Sequence, residues 1–179
     1  APPLVVDETL PLPVEGEQIN LKAIDKVTRL AKADSLLAAR YERNQLVLAD
    51  LDASTLLFID SVLAWFSGDT GLAEQLLTNL ARDNTAALDL VLQEREARQA
   101  LRGDWLAAAE TLFQRAHARS GNRQDEAVSD RLFGYLLRLD TATLSKASRG
   151  ARDPNWRKWL QMQIVYREGP AALAAWMRV

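Results

Sequence analysis

From Asn20 onward, apolar residues recur at intervals of three and four, and the periodic runs are broken at Gly, Pro, Asp, Ser and Asn. That spacing stacks side chains on one face of a 3.6-residue helix, so the chain reads as a series of helices joined by short turns. Asn20 is placed to cap a first helix running to about Ala33, and Asp34 or Ser35 starts a second with an apolar stripe of Leu36, Leu37 and Tyr41. Asp52 or Ser54 opens a third, apolar on nearly all sides through Leu56, Leu57, Phe58, Ile59, Val62, Leu63, Trp65 and Phe66. Such a helix needs neighbours on both flanks. Gly68 suits its left-handed end, and Asp69 caps the next helix, to about Ala81.

A long fifth helix is expected from a cap at Asp83 to Thr85 through Arg102, with Leu88, Val91 and Leu92 inward and Glu94 paired with Arg98 on the outer face. Gly103-Asp104 repeats the punctuation, and the following helix aligns Trp105, Ala108, Ala109, Leu112, Phe113 and Ala116 before Ser120-Gly121-Asn122 breaks it. Further helices are expected at about Asp125 to Leu139, Thr141 to Gly150, and Asp153 to Glu168, the last with Pro154 at its first position. Pro170 begins a final one. Four of the six prolines fall in residues 1 to 18, where they exclude helix and central strand and predict an extended tether. At about 3.1 Å per residue it would span on the order of 55 Å. Leu4-Val5-Val6 is the one stretch with any strand character.

The segment FSGDTGLAEQLL, beginning at Phe66, and LRGDWLAAAETL, beginning at Leu101, share a cadence with a period of 35 residues. Gly68-Asp69, Ala73 and Leu77 align with Gly103-Asp104, Ala108 and Leu112, Trp105 following the second turn. The alanines have a physical role, because a methyl group lets two crossing helices approach where a larger side chain would hold them apart. Gly-Asp-Trp-x-x-Ala at 103 to 108 resembles the Gly-x-Tyr-x-x-Ala of the tetratricopeptide (TPR) family, whose period is about 34 residues. The resemblance implies an all-α array of antiparallel helix hairpins in a right-handed superhelix, occupying residues 19 to 179 as one domain. A fainter copy begins at Ala33-Asp34, with Leu37-Ala38 lying 35 residues before Leu72-Ala73, and the pattern drifts beyond residue 120.

Composition narrows the function. At 48% hydrophobic and 26% charged the chain can bury a core, and no apolar run reaches the roughly 18 to 20 residues of a membrane span. The absence of cysteine removes disulfides, thiolate metal sites and a cysteine nucleophile. The net charge of −2 hides an acidic first half and a basic second half. Histidine-based catalysis has only His117 to draw on, at the edge of an apolar face. Glu94/Glu96 and Asp50/Asp52 do not form a two-carboxylate pair for hydrolysis, and both Gly-Asp turns end helices rather than follow strands. The reading is therefore a non-catalytic domain without cofactor or metal. The densest basic stretch, Lys146, Arg149, Arg152, Arg157 and Lys158, is the candidate partner surface. Trp156, Trp159 and Leu160 interleave it at helical spacing, which favours core packing over base stacking, so no nucleic-acid partner is expected.

The final third carries a narrower resemblance. Leu132-Phe133 and Leu136-Leu137, the segment TLSKAS, Trp159-Leu160, and Pro170 with Leu173 and Trp176 are similar in order to the end of the helical N-terminal domain of the LpoA lipoprotein family. That resemblance implies a periplasmic, outer-membrane-anchored activator of a class A penicillin-binding protein. It also implies a lipidated cysteine before Ala1 as the sole membrane attachment, and a further domain after this one. A cytoplasmic TPR-type adaptor or co-chaperone is the alternative.

Overall fold

The computed structural model describes residues 19–119 and 126–178. The proline-rich start and the break at Ser120-Gly121-Asn122 lie outside them. The described residues form ten α-helices and no strand: α1 (Leu21–Lys32), α2 (Leu36–Leu48), α3 (Ala53–Phe66), α4 (Thr70–Asp83), α5 (Leu88–Leu101), α6 (Trp105–Arg119), α7 (Glu126–Leu137), α8 (Thr141–Gly150), α9 (Pro154–Glu168) and α10 (Pro170–Met177). The chain divides into two compact units, Ala1–Leu101 and Arg102–Val179.

In the first unit α3 is the central element, packed by α1, α2 and α4, as its all-round apolar sequence requires. Phe58, Ile59 and Val62 meet Ile24 and Val27 of α1, Leu77 and Leu80 of α4, and Val91 of α5 in one buried cluster. Two helix starts are tied together. Asp52 caps α3 by accepting the Thr55 N–H at 2.9 Å, and the Thr55 hydroxyl accepts the Asn20 N–H at 2.8 Å while Asn20 caps α1 through the Ala23 N–H.

The turns after α1 and α3 close by one mechanism. At the end of α3 the Asp69 N–H reaches the Ala64 carbonyl at 2.9 Å and the Gly68 N–H reaches Trp65 at 3.1 Å, with Gly68 at φ 87°. This is the paired Schellman bonding that satisfies the last carbonyls of a helix. The end of α1 has the same pair, Ser35 to Leu30 and Asp34 to Ala31, both at 3.2 Å, but Asp34 itself takes the left-handed conformation at φ 64°. In the first hairpin, then, Asp34 occupies the glycine position instead of capping α2, and Ser35, at the cap position, makes no side-chain bond there.

Three sequence expectations change in this unit. α4 extends to Asp83, Asn84 turns inward with its Nδ2 donating to Ser54 Oγ at 3.2 Å, and Thr85–Ala87 forms a 3₁₀ turn, so α5 starts later, at Leu88, which is 40% exposed. Glu94 and Arg98 are paired, at 3.0 Å, but on a buried face with 5% and 4% exposure rather than outward. In the stripe of α2, Leu36 is half-buried while Leu37 is 83% exposed and Tyr41 lies open. The helix rests on its neighbours through Ala39, with Leu36 and Leu46 on the same face, opposite Leu37 and Tyr41.

In the second unit Ala109 and Leu112 of α6, Leu132 and Leu136 of α7, Leu144 of α8 and Trp156 and Leu160 of α9 form the core. α6 packs on α7, α9 on α7 and α8, and α10 on α9. Asp140 caps α8 through the Thr143 N–H at 2.7 Å, and Asp153 caps α9 through Asn155 and Trp156. Arg167 Nη2 donates to the Leu136 carbonyl at 3.0 Å and closes the end of α7. Both repeat alanines, Ala73 and Ala108, are fully buried, as are Leu77 and Leu112. Gly103 has the positive φ of Gly68, at 73°, and the first-turn bonds Ala73 N–H to Asp69 O and Ala108 N–H to Asp104 O are both 3.0 Å.

Candidate partner-binding surface

The basic segment spans the end of α8, a three-residue link and the start of α9. Gly150 ends α8, Ala151 is extended, and Pro154 fixes the first residue of α9, so the chain turns a corner between Arg149 and Arg157. The corner is rigidly held. Asp153 Oδ1 accepts the Asn155 N–H at 2.8 Å and the Trp156 N–H at 3.2 Å, and the Arg157 guanidinium donates to the Ala151 carbonyl.

All five cations, Lys146, Arg149, Arg152, Arg157 and Lys158, are exposed. They do not act as a set. Lys146 and Arg152 line one groove, Arg157 is spent on the corner, and Arg149 and Lys158 lie outside the groove's walls. Among the described residues Lys146, Arg149, Arg152 and Lys158 have no hydrogen-bond or ion-pair partner, so their charge is open to solvent.

The groove has a volume of about 790 Å³ and is walled by α6 on one side and the α8–α9 corner on the other. Its base is apolar: the Phe113 and Trp156 rings lie 5.3 Å apart at 41°, beside Leu106. Trp156 is 6% exposed and Trp159 half-buried, so neither presents a flat ring to solvent. The sequence placed Phe113 only on a helix face. Its role in the groove depends on α6 meeting a corner some 40 residues later, and no local signal marks that meeting. Glu110 was likewise unmarked, and it stands on the α6 wall with no partner among the described residues.

Elsewhere in this unit Trp105 stacks on Tyr135 at 6.0 Å, and the Arg138 guanidinium sits 4.2 Å from the centroid of its ring. His117 is exposed and stacks on Phe113 at 6.0 Å. Among the described residues no group of His, Asp and Glu is placed to hold a metal ion, and no helix is long and apolar enough to cross a membrane. No protein-family model, curated protein or solved structure matches this chain.

Proposed function

We propose that this chain is the helical N-terminal domain of an LpoA-type lipoprotein, a non-catalytic, outer-membrane-anchored periplasmic protein that activates a class A penicillin-binding protein. One observation carries the reading: the motif blocks of the final third fall on four successive helices in the expected order. Leu132-Phe133 and Leu136-Leu137 lie on α7, the TLSKAS segment on α8, Trp159-Leu160 on α9, and Pro170 to Trp176 on α10. The first three blocks also have a packing role, since Leu132, Leu136, Leu144 and Leu160 are buried in one core. The TPR-like assignment, with a right-handed turn between hairpins, is proposed on the shared Gly-Asp turns and on the buried alanines that follow them.

The test is a synthase assay with the full-length product of the gene and a purified class A penicillin-binding protein, following glycan polymerisation and peptide cross-linking. Stimulation of either activity and co-purification of the two proteins are expected. Absence of both binding and stimulation would overturn the proposal, as would a coding sequence with no lipid-attachment cysteine ahead of Ala1.

A further inference from the structure

We propose that the groove between α6 and the α8–α9 corner binds an extended acidic peptide, seating one apolar side chain over Phe113 and Trp156 and pairing flanking carboxylates with Lys146 and Arg152. The inference rests on the reading of this domain as a protein-binding one and names the partner's chemistry. Three features argue for that occupant. The base of the groove is aromatic and aliphatic, so an apolar side chain lying on it would remove its own surface and that of Phe113 from water.

The rim's two cations are uncommitted. Lys146 and Arg152 are exposed without partners among the described residues, whereas the Asp153 carboxylate beside them is occupied by two helix N–H groups. That leaves Glu110 as the opposing free carboxylate. Arg149 and Lys158 add positive field from outside, in a unit with 13 basic and 8 acidic residues. Finally, Arg152 stands on a backbone corner fixed by a proline, a capping aspartate and the Arg157 bond, so little backbone ordering is required of the protein when a ligand docks.

A nucleic acid fits less well. Trp156 is buried at its base and Trp159 half-buried, so no open ring is available as a stacking platform.

The experiment uses the whole chain and fluorescence anisotropy at low and moderate salt. The probes are a labelled ten-residue peptide with four carboxylates around one phenylalanine, its counterpart with carboxamides in place of carboxylates, and a ten-nucleotide oligothymidine. The acidic peptide is expected to bind saturably, at least about tenfold more tightly than the carboxamide peptide, and to weaken with salt. Lys146→Glu with Arg152→Glu should lower its affinity by about tenfold or more, Arg149→Glu with Lys158→Glu by no more than about threefold, and Glu110→Gln should raise it.

Equal losses from the two double variants would overturn the groove in favour of diffuse attraction. So would absence of binding at low salt, or tighter binding of oligothymidine. The synthase assay separates the two proposals: stimulation by the wild-type lipoprotein without peptide binding sinks the groove alone, and peptide binding without any synthase effect sinks the lipoprotein reading alone.

Discussion

Ser61 and Arg98, 37 residues apart, are joined by a 2.7 Å hydrogen bond in which Arg98 Nη1 donates to Ser61 Oγ. The same hydroxyl donates to the Ala73 carbonyl at 2.7 Å, so one small side chain ties α3, α4 and α5 together. Arg98 is further held by Glu94 at 3.0 Å and lies 5.5 Å from the Trp65 ring centroid. Ser61→Ala removes both bonds and leaves a buried guanidinium short of an acceptor, which should destabilise the fold by about 1 to 3 kcal/mol. Urea denaturation followed by circular dichroism would measure it, and an unchanged midpoint would refute the role.

The Glu94 carboxyl is pushed above its usual value, chiefly because burial disfavours the charged form; the attraction and hydrogen bond of Arg98 only partly oppose this. A raised folded-state pKa means that the contribution of Glu94 to stability is fully present below its unfolded pKa and is lost as pH rises through the folded one. Relative to wild type, Glu94→Gln should therefore gain stability progressively as pH increases above the ordinary carboxylate range. Stranding Arg98 adds a constant offset but leaves that slope intact. Parallel pH profiles for the two proteins would contradict the assignment.

The close crossing of α3 and α4 is visible in the reach of the Ser61 hydroxyl to the Ala73 backbone. Ala73 is 1% exposed, so Ala73→Leu has no free volume to fill and should cost about 1 to 3 kcal/mol by overpacking. A wild-type melting temperature would mean that the crossing can open without penalty.

Asp34 and Gly68 occupy equivalent left-handed turns, at φ 64° and 87°. A Cβ at Gly68 would meet nothing within 4 Å, so Gly68→Ala tests backbone strain alone and should cost about 1 kcal/mol. Asp34→Gly should move the other way, gaining up to about 1 kcal/mol. Thermal melts showing the same sign for both substitutions would rule out the shared turn mechanism.

Gln163 on α9 is fully buried, and its amide finds no hydrogen-bond partner among the described residues. Replacing it by methionine keeps the shape and removes the desolvated amide, so Gln163→Met should stabilise the protein by about 1 kcal/mol or more. A loss of stability would indicate an internal water bridging the amide to the core.

The helices and the Gly-Asp turns were legible in the sequence because their causes are local. A left-handed residue needs glycine or a tolerant aspartate, a cap needs a short polar side chain two or three residues ahead of free N–H groups, and amphipathic spacing follows from the 3.6-residue turn. The exposure of the basic segment was legible for the same reason, since Gly150 and Pro154 fix the corner from within it. Only tertiary structure decided that Glu94 and Arg98 point inward, because the reason is Ser61 on another helix. Asn84 is likewise drawn out of a capping role by Ser54, 30 residues away, which delays α5 to Leu88. The groove belongs to the same class: periodicity put Phe113 and Trp156 on apolar faces, but which faces meet, and which two of five cations border the space between them, depends on non-local packing that no single helix encodes.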